Sequence, residues 1–210
     1  MTLFLLFLGA FLLGSIPIGF LAARAKGIDI RTVGSGNIGA TNVSRALGNK
    51  AGYAVFVLDM LKGLIPGLVA RQLITEPIGG LPPQLYWFLV GIAAFFGHMF
   101  CPWLGFKGGK GIATGLGALI AAAPLLALAC FGVFFLFMIF TMMVSLSSLA
   151  AAVVLPIFGY LLPGEPRELV PIYICLSLLV FYKHRENIKR IRAGTEPKFQ
   201  FKKKPQEQEA

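Results

Sequence analysis

Between Ile112 and Leu162 the chain runs for 51 residues without one charged side chain. As a single helix that segment would measure about 76 Å, against a hydrocarbon core of ~30 Å. A soluble domain has no place for it, so the chain belongs in a bilayer and the segment must break. Four further apolar stretches agree: 2–23, about 51–74, 85–104 and 169–182. Hydrophobic residues make up 57% of the 210 and charged residues 13%, half the share of an ordinary soluble domain. This composition excludes soluble and disordered classes. The net charge of +10 alone would suit nucleic-acid binding, which the apolar runs overrule.

Basic residues orient the spans. The first apolar run is followed, not preceded, by Arg24 and Lys26, which argues for a retained span rather than a cleaved leader, with the N-terminus outside. If the 51-residue segment holds an odd number of spans, sixteen of the nineteen Lys and Arg fall on one face. Candidate breaks are Pro124, Cys130–Gly132, Ser145–Ser148 and Pro156. We expect three short spans, roughly 112–129, 131–145 and 147–162. The fold class is therefore all-α: a polytopic membrane bundle of seven transmembrane helices, N-terminus outside, C-terminus cytoplasmic. A five-span count has the same parity. Residues 1–197 read as one membrane-embedded domain and 198–210 as a flexible basic and polar tail, with Lys202–Lys204 solvated or near anionic lipid heads. Cys101, Cys130 and Cys175 have neither metal nor disulfide spacing.

Three polar stretches share the expected inner face. In the first, residues 34–48, glycines free backbone N–H groups for an anion, Ser35, Asn37, Thr41 and Asn42 add side-chain partners, and Arg45 offers a two-pronged clamp. Its Gly34–Gly39 run spells G-x-G-x-x-G, but a membrane span precedes it where a dinucleotide site needs a strand. In the second, residues 105–114, Lys107 and Lys110 stand among Gly108, Gly109 and Gly111 just before a helix start, a setting for phosphate. In the third, residues 183–196, continued helix would put His184 and Asn187 on one face. Within the membrane, Asp59 and Lys62 are spaced i, i+3 and can neutralise each other; His98 reads as a packing residue. No metal or cofactor is expected.

Such loops bordering a membrane suit one soluble phosphate and one lipid-chain substrate. A transporter of phosphorylated solutes would carry more mid-membrane polar residues and an inverted repeat, and a scaffold would not need three chemical loops. At this point the sequence resembles the bacterial acyl-phosphate:glycerol-3-phosphate acyltransferases, integral-membrane enzymes with three motifs. GSGNIGATNVSRALG (34–48), GFKGGKGIAT (105–114) and HRENIKRIRAGTEPK (184–198) are similar to those motifs in order and spacing, and the serines from Ser145 to Ser148 to a serine-bearing stretch. Cys101-Pro102-Trp103 departs from the aliphatic run that family carries.

The resemblance implies transfer of an acyl group from acyl phosphate to the 1-hydroxyl of sn-glycerol 3-phosphate. The products would be 1-acyl-glycerol 3-phosphate and phosphate, the first committed step of phospholipid synthesis. It implies catalytic roles for Ser35, Arg45, His184 and Asn187. Substrate contacts would come from Gly36, Asn37, Thr41, Asn42, Lys107, Gly108, Gly109, Lys110, Gly111 and Ser145, with support from Glu196, Asp59 and Lys62. The base would be His184 or a substrate phosphate. The expected setting is the bacterial cytoplasmic membrane, with the site facing the cytoplasm. The protein would be a monomer, with membrane lipids around it and a functional link to the enzyme that makes the acyl phosphate.

Overall fold

The computed structural model describes residues 1–200, which form an all-helical, polytopic membrane protein. Among them are ten α-helices: α1 (Thr2–Ser15), α2 (Ile18–Arg24), α3 (Ala40–Leu47), α4 (Asn49–Leu73), α5 (Pro83–Met99), α6 (Ile112–Ala122), α7 (Pro124–Thr141), α8 (Val144–Leu161), α9 (Val170–Lys183) and α10 (Arg185–Arg192). Five helical segments are long and apolar enough to cross a membrane: Thr2–Arg24, Asn49–Leu73, Pro83–Leu104, Pro124–Thr141 and Val144–Leu161. Helices α6 and α9 are shorter, at 11 and 14 residues.

The long apolar segment does form three helices, but two expected breaks move. The first falls at Ala123, immediately before Pro124, because proline disfavours helical backbone in the residue ahead of it. The second falls at Met142, in the left-handed conformation with φ 57°, followed by extended Met143. Cys130 lies inside α7, and Ser145–Ser148 sit in the first turns of α8. Pro156 breaks nothing. The carbonyl it leaves without an intrahelical partner, Ala152 O, accepts a 2.6 Å hydrogen bond from Ser177 Oγ on α9. In lipid a neighbouring helix can satisfy a proline's orphaned carbonyl in this way.

The first span is interrupted too. Ile16 is extended ahead of Pro17, and the exposed carbonyls find partners. Lys62 Nζ donates to Ile16 O, and Cys101 Sγ to Ser15 O at 3.1 Å. Trp103 Nε1 donates to Ser15 Oγ at 2.8 Å. The atypical Cys101-Pro102-Trp103 run thus closes this break.

Glycines set the closest helix contacts. A Cβ on Gly63 of α4 would lie 2.0 Å from Thr114 O of α6, and one on Gly97 of α5 would lie 2.1 Å from Phe11 O of α1. Small residues let backbones touch, which supplies packing where lipid removes the hydrophobic drive between helices. Phe88, Ile92, Leu126 and Tyr173 form the main core, while Leu128, Phe140 and Leu178 face outward. Residues beyond 197 continue to make contacts: Phe199 N donates to Met142 O at 2.7 Å, and Asn49 Nδ2 to Gln200 O at 2.9 Å. The remaining tail, including Lys202–Lys204, lies outside the described residues.

Candidate active site

The three polar stretches converge on one cavity of about 360 Å³. The first contributes Ser35, Asn37, Thr41, Asn42 and Arg45 to its wall, the second Lys110 and Gly111, and the third His184, Asn187 and Glu196. Ser145 and Ser148 of α8 complete the polar half. The other half of the lining is mostly apolar and aromatic, with Tyr53 and Phe56 from α4 and Phe131, Phe134, Phe135 and Met138 from α7.

Asn42, 2% exposed, acts as the spine of the first loop. Its Oδ1 accepts from Ser35 N at 3.0 Å, and its Nδ2 reaches Val33 O and Asn37 O, both at 2.9 Å. Asn37 Oδ1 in turn accepts from Gly39 N at 2.8 Å. These amides shape the loop and hold Ser35 at the cavity. Gly36 is off the cavity wall, and its φ of 68° permits the turn. Arg45 lies on α3 and donates from Nη2 to Pro197 O at 3.2 Å.

The second stretch divides. Gly108 N and Gly109 N donate to Met99 O (3.2 Å) and His98 O (3.1 Å), so these donors are committed within the protein. A Cβ on either glycine would stand 2.0 Å from His98, from its carbonyl oxygen and its Nε2 respectively. These glycines therefore serve close packing against α5. Lys107 is exposed and off the cavity wall. Lys110 turns inward and donates to Asn187 Oδ1. Gly111, at φ 77°, begins α6, whose first residues Ile112 and Ala113 line the cavity and aim the positive helix end at it.

In the third stretch the helix does not run on: α9 ends at Lys183, His184 forms the joint, and α10 restarts at Arg185. His184 is 2% exposed, and its Nδ1 lies 2.8 Å from Val180 O. A carbonyl only accepts, so this contact places the proton on Nδ1 and leaves the Nε2 lone pair available. Burial, with Lys110 nearby, pushes its pKa down to about 4, and the ring is neutral at pH 7.

Glu196 is the hub. Its Oε1 accepts from Ser145 Oγ at 2.7 Å and Asn187 Nδ2 at 2.6 Å, and its Oε2 from Arg190 Nε at 2.7 Å. Burial raises its pKa, but these bonds outweigh burial and hold the carboxyl below its ordinary range. Lys110 is pulled down to about 8, chiefly by burial and against the pull of Glu196. The network leaves a carboxylate ringed by cations: Arg190 touches it, Lys110 reaches it through Asn187, and Arg45 stands beyond.

Sequence reasoning missed Arg190, the aromatic wall, and the position of the intramembrane charges. Arg190 lies one turn from Asn187, and Phe131, Phe134 and Phe135 recur at helical spacing; both signals were readable. Asp59 Oδ1 lies 2.6 Å from Lys62 Nζ and 3.5 Å from His98 Nδ1. Asp59 and His98 reach the cavity wall while Lys62 points away to Ile16 O. No group of His, Cys, Asp or Glu among the described residues is placed to hold a metal ion.

Residues 4–194 match the family model of the glycerol-3-phosphate acyltransferases. The chain belongs to that family. It is 50% identical to the glycerol-3-phosphate acyltransferase of Geobacter metallireducens, over 93% of this chain and 96% of that one. Identity to the Aquifex aeolicus protein of the same name is 44%, covering 90% and 95%. The fold superposes on the crystal structure of PlsY, an integral membrane glycerol 3-phosphate acyltransferase, in its glycerol 3-phosphate form. The TM-score is 0.86 at 42% identity, covering 95% of this chain and 96% of that one. The lysophosphatidic acid form of PlsY matches with a TM-score of 0.83.

Proposed function

We propose that this protein is a glycerol-3-phosphate acyltransferase whose donor is an acyl phosphate. The product is 1-acyl-glycerol 3-phosphate, with release of inorganic phosphate. The observation that carries this reading is the divided cavity, with cations, amides and a helix N-terminus on one half and an aromatic wall on the other. A soluble phosphate ester and a chain-bearing phosphate need both halves at once. Family membership supports the acceptor, and the polar half supports two anions held close together.

In this reading the acceptor's 1-hydroxyl attacks the donor's carbonyl carbon. A C–O bond forms, the carbonyl–phosphate bond breaks, and phosphate leaves with the bonding pair. The hydroxyl proton passes to Nε2 of neutral His184 or to a substrate phosphate oxygen. Phosphate is a good leaving group, so most of the rate comes from positioning and charge neutralisation. Lys110, Arg45, Ser35 and the start of α6 hold the phosphates, and Thr41 and Ser145 complete the wall. Asn187 is held between Lys110 and Glu196 and orients the hydroxyl; Glu196 fixes Asn187, Ser145 and Arg190. Asp59 and Lys62 support the floor from within the bilayer.

In this reading the site faces the cytoplasm from a bacterial inner membrane, which the one-sided basic loops support, with seven crossings once α6 and α9 are counted as short spans. The reading includes a monomer that receives its donor from the enzyme that makes it. To test the function, the purified protein is given labelled glycerol 3-phosphate with acyl phosphate, acyl-CoA or acyl carrier thioester. We expect lysophosphatidate from acyl phosphate alone. Product from a thioester and none from acyl phosphate would overturn the donor; no product from any donor would overturn the reading.

A further inference from the structure

A second, smaller cavity of about 100 Å³ lies among α5, α6, α7, α8 and α9. Gly111, Ile112, Leu116, Phe131, Phe134 and Ser148 line both it and the larger cavity, so the two share a rim. The far side is walled by Phe88, Leu119, Cys130 and Ala152, all buried. Two hydroxyls border it, and both donate to helix backbone. Ser148 Oγ reaches Val144 O at 2.8 Å, and Ser177 Oγ reaches Ala152 O at 2.6 Å and Tyr173 O at 2.8 Å. Both donors are thus committed and the remaining side chains of the lining are apolar, so water, which needs two to four polar partners, is poorly held there. The suitable occupant is hydrocarbon.

We propose that the far end of the donor's acyl chain turns inward across this rim into the second cavity, where Cys130 and Leu119 form the stop that sets chain length. The inference rests on the acyl-transfer reading, which puts the reacting carbonyl beside Lys110 and His184. The burial of that far wall favours the inward route. On the α4 and α7 side, the larger cavity's lining includes Tyr53 and Phe135, which are 52% and 55% exposed. A chain leaving there meets no stop and leaves an apolar void in an otherwise close-packed bundle. A chain turning inward fills that void and is measured by its walls. Each methylene accommodated is worth about fourfold in binding.

The test is kcat/KM for decanoyl, hexadecanoyl and octadecanoyl phosphates in wild type and three variants. Cys130→Phe fills the far end, Leu119→Ala deepens it, and Phe140→Ala alters a lipid-facing position of α7 that is 79% exposed. Displacing two methylenes lowers the hexadecanoyl-to-decanoyl ratio on the order of tenfold in Cys130→Phe. The octadecanoyl-to-hexadecanoyl ratio rises severalfold in Leu119→Ala, and Phe140→Ala leaves both ratios in place. Ratios within twofold of wild type in both cavity variants overturn the proposal; that result is the one expected if the chain runs out between α4 and α7, or if a bilayer lipid tail fills the cavity. If Cys130→Phe does not fold, the Leu119→Ala ratio decides alone. The same series with acyl-CoA donors separates the two readings: transfer from acyl-CoA alone refutes the acyl phosphate donor, while the ratios still judge the stop.

Discussion

Replacing Glu196 by alanine should loosen the whole polar half of the cavity. The carboxylate accepts three hydrogen bonds between 2.6 and 2.7 Å and is 7% exposed. Bonds to a charged partner contribute about 1.5–3 kcal/mol each. They do not add fully, because they share one carboxylate, water can enter the cavity, and Arg190 is a third exposed. A net loss of about 3–4 kcal/mol follows, which corresponds to a fall in Tm of roughly 6–16 °C for a chain of this length. Glutamine keeps the shape and one acceptor but turns an amide N–H₂ toward Arg190 Nε, so Glu196→Gln should fall between alanine and wild type. Removing the charge also removes the group that holds the pKa of Lys110 up, so Lys110 loses its proton below its present value of about 8. The assays are thermal unfolding in detergent and the alkaline limb of kcat/KM. A Tm within 2 °C of wild type together with an unmoved alkaline limb would refute the hub.

Other consequences are as direct. In wild type, kcat/KM should fall as pH rises through about 8, because Lys110 binds phosphate only while protonated; Lys110→Arg should carry activity to higher pH. Lys110→Ala should raise KM for a phosphate substrate at least tenfold while Lys107→Ala, off the cavity wall, stays within twofold; equal effects would put both lysines in the site. The His184 pKa is lowered on folding, so its neutral form contributes stability above the unfolded value near 6.5, and that contribution, up to about 3 kcal/mol, is lost between there and pH 4. His184→Asn should flatten that part of the stability profile and lower turnover. Lys62→Met leaves Asp59 without its ammonium partner and Ile16 O without its donor, and should cost about 3–5 kcal/mol in unfolding measurements.

The membrane class was legible because bilayer thickness acts on runs of residues, and a 51-residue uncharged run satisfies no soluble solution. The three stretches were legible because their glycines, lysines and amides are dense enough to stand out locally. The spacing of proline breaks was less so. Pro17 and Pro124 break helices, whereas Pro156 does not, since Ser177 from another helix satisfies the carbonyl it orphans. No local pattern reports that partner, which lies 25 residues away in sequence.

The same distinction runs through the site. Sequence by itself marked three basic, polar ends of membrane helices as candidates for anion chemistry, because charge and backbone freedom are local properties. Only the tertiary structure decided which members reach the cavity. Lys110 faces Asn187 while Lys107 faces solvent, and Gly108 and Gly109 spend their donors on α5. Glu196, read from sequence only as a supporting residue, gathers Ser145, Asn187 and Arg190. The pairing of Arg45 with Pro197 spans 152 positions. Such contacts follow from how close-packed helices bring distant ends together, and residue type alone carries no record of that.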